Sequence, residues 1–388
     1  MKKKIAILGS TGSIGRQTLD IIRKNKKNFK VILLTANKSH NLLLKQIREF
    51  KVKNVIITNK KSYLILKKKF KNIFIYNDLN IIDKIIPSKL DYTMSSISGF
   101  DGLKPTLKII KKTNTIAIAN KESIICGWSL IKKQIDKYKT KFIPVDSEHF
   151  SIWSVIKDVS PKEIDQIIIT ASGGPFFYNN NNRIKKTPKL VTAHPNWSMG
   201  KKISTDSATL MNKVFEVIEA KKIFNLDLKK FYIYIHPKSY IHAIVKFKNG
   251  LIKIVAHDTD MKIPILNSIY NNNSRIKSKK ININLLNNLN LNKVDLKKYP
   301  SMKILKLIPK KNTLFETLLV SANDELVNLF LQNKISYEEI YINLKKIINN
   351  KIFLKYRQKK VNNLRQIEKL NEFVRLKTKT LSVISKIK

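Results

Sequence analysis

Short apolar runs alternate with longer lysine-rich stretches of helical period through the first third of the chain. Runs at 4–8, 31–34, 54–58, 73–76, 92–97, 115–119 and 141–145 have the length and apolar density of buried strands. Strand and helix in alternation predict an α/β fold with a doubly wound, Rossmann-like parallel sheet. Further strands are expected at 166–170, 231–235 and 241–246. Residues 271–293 turn to Asn and Lys with weak periodicity, which reads as a linker with room for one strand. From Tyr299 onward the period is helical. Asn312-Thr313 offers a helix start, and 318–331 is amphipathic around Asn323.

At 388 residues the chain can hold two or three domains with sizeable cores. Its one cysteine, Cys126, excludes an intramolecular disulfide framework and suits a reducing cytosol. The start, MKKKIAILGSTG, runs from a basic tip straight into a strand. With no signal-peptide pattern and no apolar run of spanning length, the expectation is a cytoplasmic protein without a membrane partner. Lys and Arg number 76 against 27 acids, a formal charge of +49. The lysines are scattered through every segment and travel with abundant Asn and Ile, the residues of A+T-rich codons. Compositional drift accounts for all three together, so no specific nucleic-acid partner is expected.

Candidate chemistry begins at the first strand. Gly9-Ser10-Thr11-Gly12-Ser13-Ile14-Gly15 follows it and opens a helix. Strand, glycine turn and helix make a pyrophosphate cradle of backbone N–H groups, here with GxxGxxG spacing instead of GxGxxG. The second strand ends in Thr35-Ala36-Asn37-Lys38-Ser39. The acid that would hold a free ribose 2′-hydroxyl is missing there and Lys38 is present, which fits a 2′-phosphate and so NADP. Asn120-Lys121-Glu122-Ser123 stands at the carboxyl end of a later strand, the edge where open α/β sheets place ligands.

Asp146 and Glu148 follow the strand at 141–145. In extended backbone, positions two apart share a side, so the two carboxylates are expected to face one space. Such a pair calls for protons, hydrogen bonds or a cation, and all-oxygen donors select Mg²⁺ or Mn²⁺ over zinc. Ser172-Gly173-Gly174-Pro175 is either a phosphate nest or a tight turn, and leads to an asparagine-rich loop at 179–182. Residues 194–219 carry the densest polar chemistry. Pro195, Asn196, Trp197 and Gly200 predict an irregular loop with an aromatic tip. Ser204-Thr205-Asp206-Ser207 offers N-caps for a helix on which Asn212 and Glu216 share a face beside Lys213, while Val214, Phe215, Val217 and Ile218 can face a core. Amide, ammonium and carboxylate behind a loop bearing His194 and Trp197 compose a grip for an anionic, oxygen-rich ligand. On an isolated helix the same residues would make an ordinary surface salt bridge.

These segments together resemble the 1-deoxy-D-xylulose 5-phosphate reductoisomerases of the non-mevalonate isoprenoid pathway. The resemblance rests on GSTGSIG at 9–15, ANKES at 119–123, PVDSEH at 144–149, SGGPF at 172–176, HPNWSMGKKISTDSAT at 194–209, NK at 212–213, Glu216 and HPKSYIH at 236–242. It covers the chain in order to about residue 331. It implies a homodimer that rearranges and reduces a sugar phosphate, with NADPH and a divalent metal. Asp146, Glu148 and Glu216 would bind the metal, with Lys121 and His194 beside them in the catalytic set. Ser172, Ser207, Asn212 and Lys213 would hold the phosphate and Ser147 the substrate backbone. His194, Trp197 and Met199 would lie on a closing flap. Thr11, Gly12, Ser13, Ile14, Asn37, Lys38, Ser39, Asn120, Lys121, Glu122, Gly200 and Met261 would line the cofactor.

Pattern and resemblance together divide the chain into a cofactor domain (1–145), a catalytic domain (146–270), a linker (271–296) and a small C-terminal helical domain (297–388). Ser39, Ser154, Phe177 and Thr259 depart from the residues usual in that family, and the segment between Ser123 and Gly127 is one residue short. None of these is a metal ligand or a phosphate contact. A semialdehyde dehydrogenase, which shares a similar glycine turn, needs a reactive thiol, and Cys126 lies in an apolar SIICGW setting.

Overall fold

The computed structural model describes residues 1–178, 185–197, 199–270 and 280–384. The asparagine-rich loop at 179–182 and the first part of the expected linker lie outside the described residues. The chain forms two compact units: Met1–Ile124, Leu130–Trp153 and Asp260–Ser278 in the first, Ile125–Ser129, Ser154–Thr259 and Lys279–Lys388 in the second. The units are not contiguous in sequence, so linear boundaries at 145, 270 and 296 do not coincide with them.

The first unit is built on seven strands: β1 (Lys3–Leu8), β2 (Phe29–Ala36), β3 (Asn54–Ile57), β4 (Phe74–Tyr76), β5 (Leu90–Ser95), β6 (Thr113–Ile118) and β7 (Lys141–Pro144). They lie in the order β4-β3-β2-β1-β5-β6-β7. Every pairing is parallel, as the alternating pattern predicts. Strand order reverses between β1 and β5, which is where open sheets of this kind bind ligands at their carboxyl ends. Ile5, Ile7, Leu34, Val55, Tyr92 and Met94 of the strands pack with Leu19, Ile22, Leu43 and Ile47 of the helices into one core. The Lys262–Tyr270 helix, far along the chain, adds Ile265 and Ile269 to that core.

The second unit holds a mixed sheet of β8 (Ile164–Ala171), β9 (Phe231–Ile235), β10 (Ile241–Phe247), β11 (Ile252–Ala256) and β12 (Asn292–Lys293), ordered β11-β10-β8-β9-β12. Only β8 and β9 run parallel; the other pairs are antiparallel. β11 was not legible in the pattern because its apolar residues alternate with nothing buried: Ile252 and Ile254 are both exposed. The C-terminal region is helical, as expected, with Phe315–Leu331, Tyr337–Ile348 and Leu364–Ile384 as its main elements. The Phe315–Leu331 helix corrects one expectation. It is buried on nearly all sides, including Glu316, Asn323 and Asp324, so what reads as a polar face is a set of buried, partnered groups. Among the described residues no helix is long and apolar enough to cross a membrane.

Candidate active site

In the first unit the site is made at the carboxyl edge of the parallel sheet. Gly9 leaves β1 with φ +84, a left-handed conformation that glycine adopts without penalty. A Cβ on Gly15 would stand 2.6 Å from the Ser10 Cα, so the first turn of the Ser13–Lys24 helix sits directly on the loop. That helix begins after Gly12 with no side-chain cap on its first N–H groups, while Gly12 N itself donates to the Gly9 carbonyl at 3.1 Å. The loop is held from β2 and the next helix. Thr35 Oγ1 accepts from Gly9 N at 2.9 Å, and buried Gln46 exchanges two hydrogen bonds with Ser10. Asn37, Lys38 and Ser39 lie exposed beyond β2, with no acid among them.

Asn120 follows β6 and caps the Lys121–Tyr138 helix, its Oδ1 accepting from Ser123 N at 2.6 Å. Its amide also reaches the carbonyls of Ile97 and Gly99, tying two carboxyl-edge loops together. This places Lys121 and Glu122, both buried, in the first helical turn. The Lys121 Nζ stands 3.1 Å from Asp146 Oδ2, after β7. His149 Nδ1 lies 3.3 Å from the other oxygen of the same carboxylate. Met261 packs against the core at the start of the Lys262–Tyr270 helix.

Asp146 and Glu148 do not lie in extended backbone, contrary to expectation. β7 ends at Pro144, and Ser147–Ile156 is a helix. Asp146 instead occupies the helix start: its Oδ1 accepts from Glu148 N at 3.3 Å and its carbonyl from Phe150 N at 2.8 Å. Glu148 is in the first turn, with Ser147 Oγ donating to its Oε2 at 2.5 Å. The two carboxylates are neighbours because a strand end and a helix start meet there. The N-terminal partial positive charge of the helix favours both.

In the second unit Ser172 leaves β8 and its Oγ lies 2.9 Å from His194 Nε2. His194 Nδ1 accepts from the backbone N–H groups of Asn196 and Trp197 at 3.2 and 3.0 Å. A nitrogen that accepts carries no proton, so the imidazole is the Nε2–H tautomer and donates to Ser172. Burial, with the nearby Lys213 charge, lowers the His194 pKa to about 4, so the ring is neutral at physiological pH. Ser172 Oγ also accepts from Gly174 N at 3.2 Å. With both acceptor positions taken, what Ser172 offers a ligand is its hydroxyl hydrogen.

The polar cluster 204–207 does not cap the helix that carries Asn212. It lies inside an earlier helix, Lys201–Ala208, which puts Ser207 near its end and buried. Leu210, left-handed at φ 56, breaks the chain into a second helix, Met211–Phe224. There Val214, Phe215, Val217 and Ile218 are buried as expected, and the Asn212 amide donates to Glu216 Oε1. Lys213 Nζ stands 2.5 Å from Glu216 Oε2, with both side chains buried. Gly200 precedes the first helix and belongs to this unit, not to the one that carries the other expected cofactor residues. Trp197 meets His242 edge-on at 6.2 Å, and His242 stacks on His257 at 3.7 Å. Asn196 reads in the sequence only as a loop residue, and its anchoring role has no signal there. Its amide donates to the Pro237 carbonyl at 2.5 Å and to Ser239 Oγ at 3.0 Å, anchoring the loop.

Three family models match in chain order. One described as 1-deoxy-D-xylulose 5-phosphate reductoisomerase covers residues 5–127, one described as its C-terminal domain covers 142–224, and one described as the DXP reductoisomerase C-terminal domain covers 257–377. The 1-deoxy-D-xylulose 5-phosphate reductoisomerase of Pelagibacter ubique is 56% identical over 390 residues, spanning 98% of this chain and 100% of that protein. The Sulfurihydrogenibium protein of the same name is 40% identical over 87% of this chain and 88% of its own length. Among solved structures, the Zymomonas mobilis reductoisomerase in complex with NADPH superposes with TM-score 0.88 at 30% identity, covering 98% of this chain and 99% of that one. A reductoisomerase in complex with NADPH, fosmidomycin and magnesium gives TM-score 0.89 at 30% identity, covering 98% of each chain. The chain belongs to the 1-deoxy-D-xylulose 5-phosphate reductoisomerase family.

Proposed function

We propose that this chain converts 1-deoxy-D-xylulose 5-phosphate to 2-C-methyl-D-erythritol 4-phosphate, with NADPH as reductant and a divalent cation, Mg²⁺ or Mn²⁺. Membership of the family supports the reaction. The observation that carries it is the single carboxyl edge on which the glycine turn, Asn120-Lys121 and the Asp146–Glu148 pair all stand. A hydride donor held on that turn would share this edge with the Asp146 carboxylate and its partner Lys121.

Asp146, Glu148 and Glu216 are the proposed metal ligands. The donor set fits a hard divalent ion: three carboxylates, with Asp146 and Glu216 each beside a lysine at hydrogen-bonding distance. When bound, such an ion supplies Lewis acidity toward the carbonyl and hydroxyl oxygens of the substrate as its carbon skeleton rearranges. The residues of the chain bind and orient. Ser172 donates its hydroxyl hydrogen to the substrate phosphate, with its oxygen fixed from behind by neutral His194. Ser207, Asn212 and Lys213 complete the phosphate grip, and Ser147 takes the substrate backbone. Trp197 and Met199 close over the substrate and exclude water, which protects the hydride step. Thr11–Ile14 take the pyrophosphate, Asn37–Ser39 the 2′-phosphate, Met261 lies beside the nicotinamide, and Asn120, Lys121, Glu122 and Gly200 also contact the cofactor.

The active species is proposed to be a cytoplasmic homodimer. β11 supports the dimer: it is a sheet-edge strand whose Ile252 and Ile254, with adjacent Leu251, are each more than half exposed. Sedimentation equilibrium tests this, with a dimer for the native chain and a monomer for Ile254→Lys. The reaction is tested by product analysis. NADPH, Mg²⁺ and 1-deoxy-D-xylulose 5-phosphate should yield 2-C-methyl-D-erythritol 4-phosphate by NMR, with NADPH oxidised in equal amount. Unchanged substrate would overturn the proposal.

A further inference from the structure

We propose that three hydroxyls of the C-terminal region, those of Tyr299, Ser301 and Tyr337, are positioning residues for the substrate phosphate. The inference rests on the reading of Ser172 and Ser207 as phosphate ligands. It assigns the C-terminal helices a part in substrate affinity.

The backbone turns sharply just after each of these serines. After Ser172 the backbone turns through Gly173 and Gly174, at φ +80 and +68. After Ser207 it breaks between two helices at Thr209-Leu210, with Leu210 at φ 56. A leucine held left-handed is strained, and such strain persists only where surrounding structure fixes it. The segments also touch: a Cβ on Gly174 would lie 2.9 Å from the Ala208 Cα. The distance between Ser172 and Ser207 therefore depends on how these two turns are held.

Each turn is held through its carbonyls from the C-terminal region. Tyr299 donates its hydroxyl to the Gly173 carbonyl at 2.8 Å. Tyr337 donates to the Ala208 carbonyl at 2.7 Å, and Ser301 to that of Thr209. The carbonyls at the end of a helix lose their in-helix donors, and these hydroxyls replace them at the break. Desolvation raises both phenol pKa values, so both remain protonated donors throughout the working range. Ring packing adds direction: Tyr337 lies edge-on to Phe176, one residue past Pro175, at 6.1 Å. Lys298, next to Tyr299, donates to the Phe177 carbonyl at 2.7 Å. None of these C-terminal residues is proposed to touch the substrate. They act by fixing where Ser172 and Ser207 stand.

The test uses Tyr299→Phe, Tyr337→Phe and the double variant, which delete hydroxyls and keep the rings. Each single variant should raise KM for the sugar phosphate about five- to tenfold, the size of one lost hydrogen bond, and the double variant more. Turnover at saturation and KM for NADPH should stay within about twofold. Calorimetry with NADPH and Mg²⁺ present gives a second readout. Affinity for the phosphonate fosmidomycin should fall in step with KM, while acetohydroxamate, which lacks the phosphonate, should bind as to the native chain. A native chain without turnover whose variants still lose phosphonate affinity selectively would refute the proposed reaction and support the positioning role. Unchanged phosphonate affinity in the double variant would overturn the inference. So would a uniform loss of phosphonate, acetohydroxamate and NADPH binding with a lowered melting temperature, the mark of a merely structural role.

Discussion

The glycine turn of the first unit and the serine pocket of the second are both suited to anions, and they are supported from different distances along the chain. The turn uses backbone N–H groups and is fixed by Thr35 and Gln46, residues of the next strand and helix. The pocket uses side chains, and its supports come from far away. Tyr299 reaches Gly173, Tyr337 reaches Ala208, and Asn323 donates to Asp206 at 2.8 Å, each across more than a hundred residues. Asp324 extends this frame through Lys202 at 2.9 Å and Arg375 at 2.7 Å. A local motif therefore fixes the proposed cofactor turn, whereas the proposed substrate pocket depends on contacts from the C-terminal region of the second unit.

The largest effect should come from the chemistry that neither support controls. Asp146→Asn keeps shape, removes a charge, and is expected to lower kcat/KM on the order of a thousandfold while NADPH affinity stays within a few-fold. Steady-state kinetics and fluorescence titration check the two halves. Next in size is Gly15→Ala. The added methyl runs into the Gly9–Ser10 backbone, and overpacking of this kind costs about 1–3 kcal/mol. NADPH affinity and melting temperature should fall together, with the serine pocket still binding a phosphonate. Loss of phosphonate binding as well would break the contrast between a local and a global support.

Much of the first region was legible because its information is local. Glycine at 9, 12 and 15 after an apolar run states both the turn and the helix start, and the missing acid after β2 is a property of five consecutive residues. The carboxylates Asp146 and Glu148 were found by a rule for extended backbone that does not apply, since helix begins at Ser147. The cap placed at 204–207 was wrong for a related reason. Ser, Thr and Asp also serve inside a helix when tertiary partners take their side chains, as Asn323 takes Asp206. A left-handed Leu210 has no sequence signature at all. Tyr299 marks only the start of the helical period and Tyr337 draws no reading, because nothing near them in sequence announces the carbonyls they reach.

A smaller effect sharpens the pocket's side of the comparison. His194 has a folded pKa near 4 against about 6.5 unfolded, so the unfolded chain takes the proton first. The stability it confers on its loop is complete above about pH 6.5 and is lost as pH falls through 4. Protonation at Nδ1 would break both backbone hydrogen bonds from Asn196 and Trp197. Imidazole NMR should show a midpoint near 4, and one above 6 would contradict the tautomer assigned to the Ser172 pair. Smallest is Lys38→Glu, on an exposed side chain, which should shift preference from NADPH toward NADH by about tenfold through one charge contact. Equal use of both cofactors by the native enzyme would remove the basis for that reading.

Asp146, Glu148 and Glu216 are proposed to serve one metal. Mn²⁺ binding followed by electron paramagnetic resonance tests it without turnover. The native chain should bind one Mn²⁺. Asp146→Asn and Glu216→Gln should each weaken that binding at least tenfold, and the double variant should abolish it with NADPH affinity retained. Native Mn²⁺ affinity in Glu216→Gln, with weakened binding in Asp146→Asn alone, would contradict the shared site.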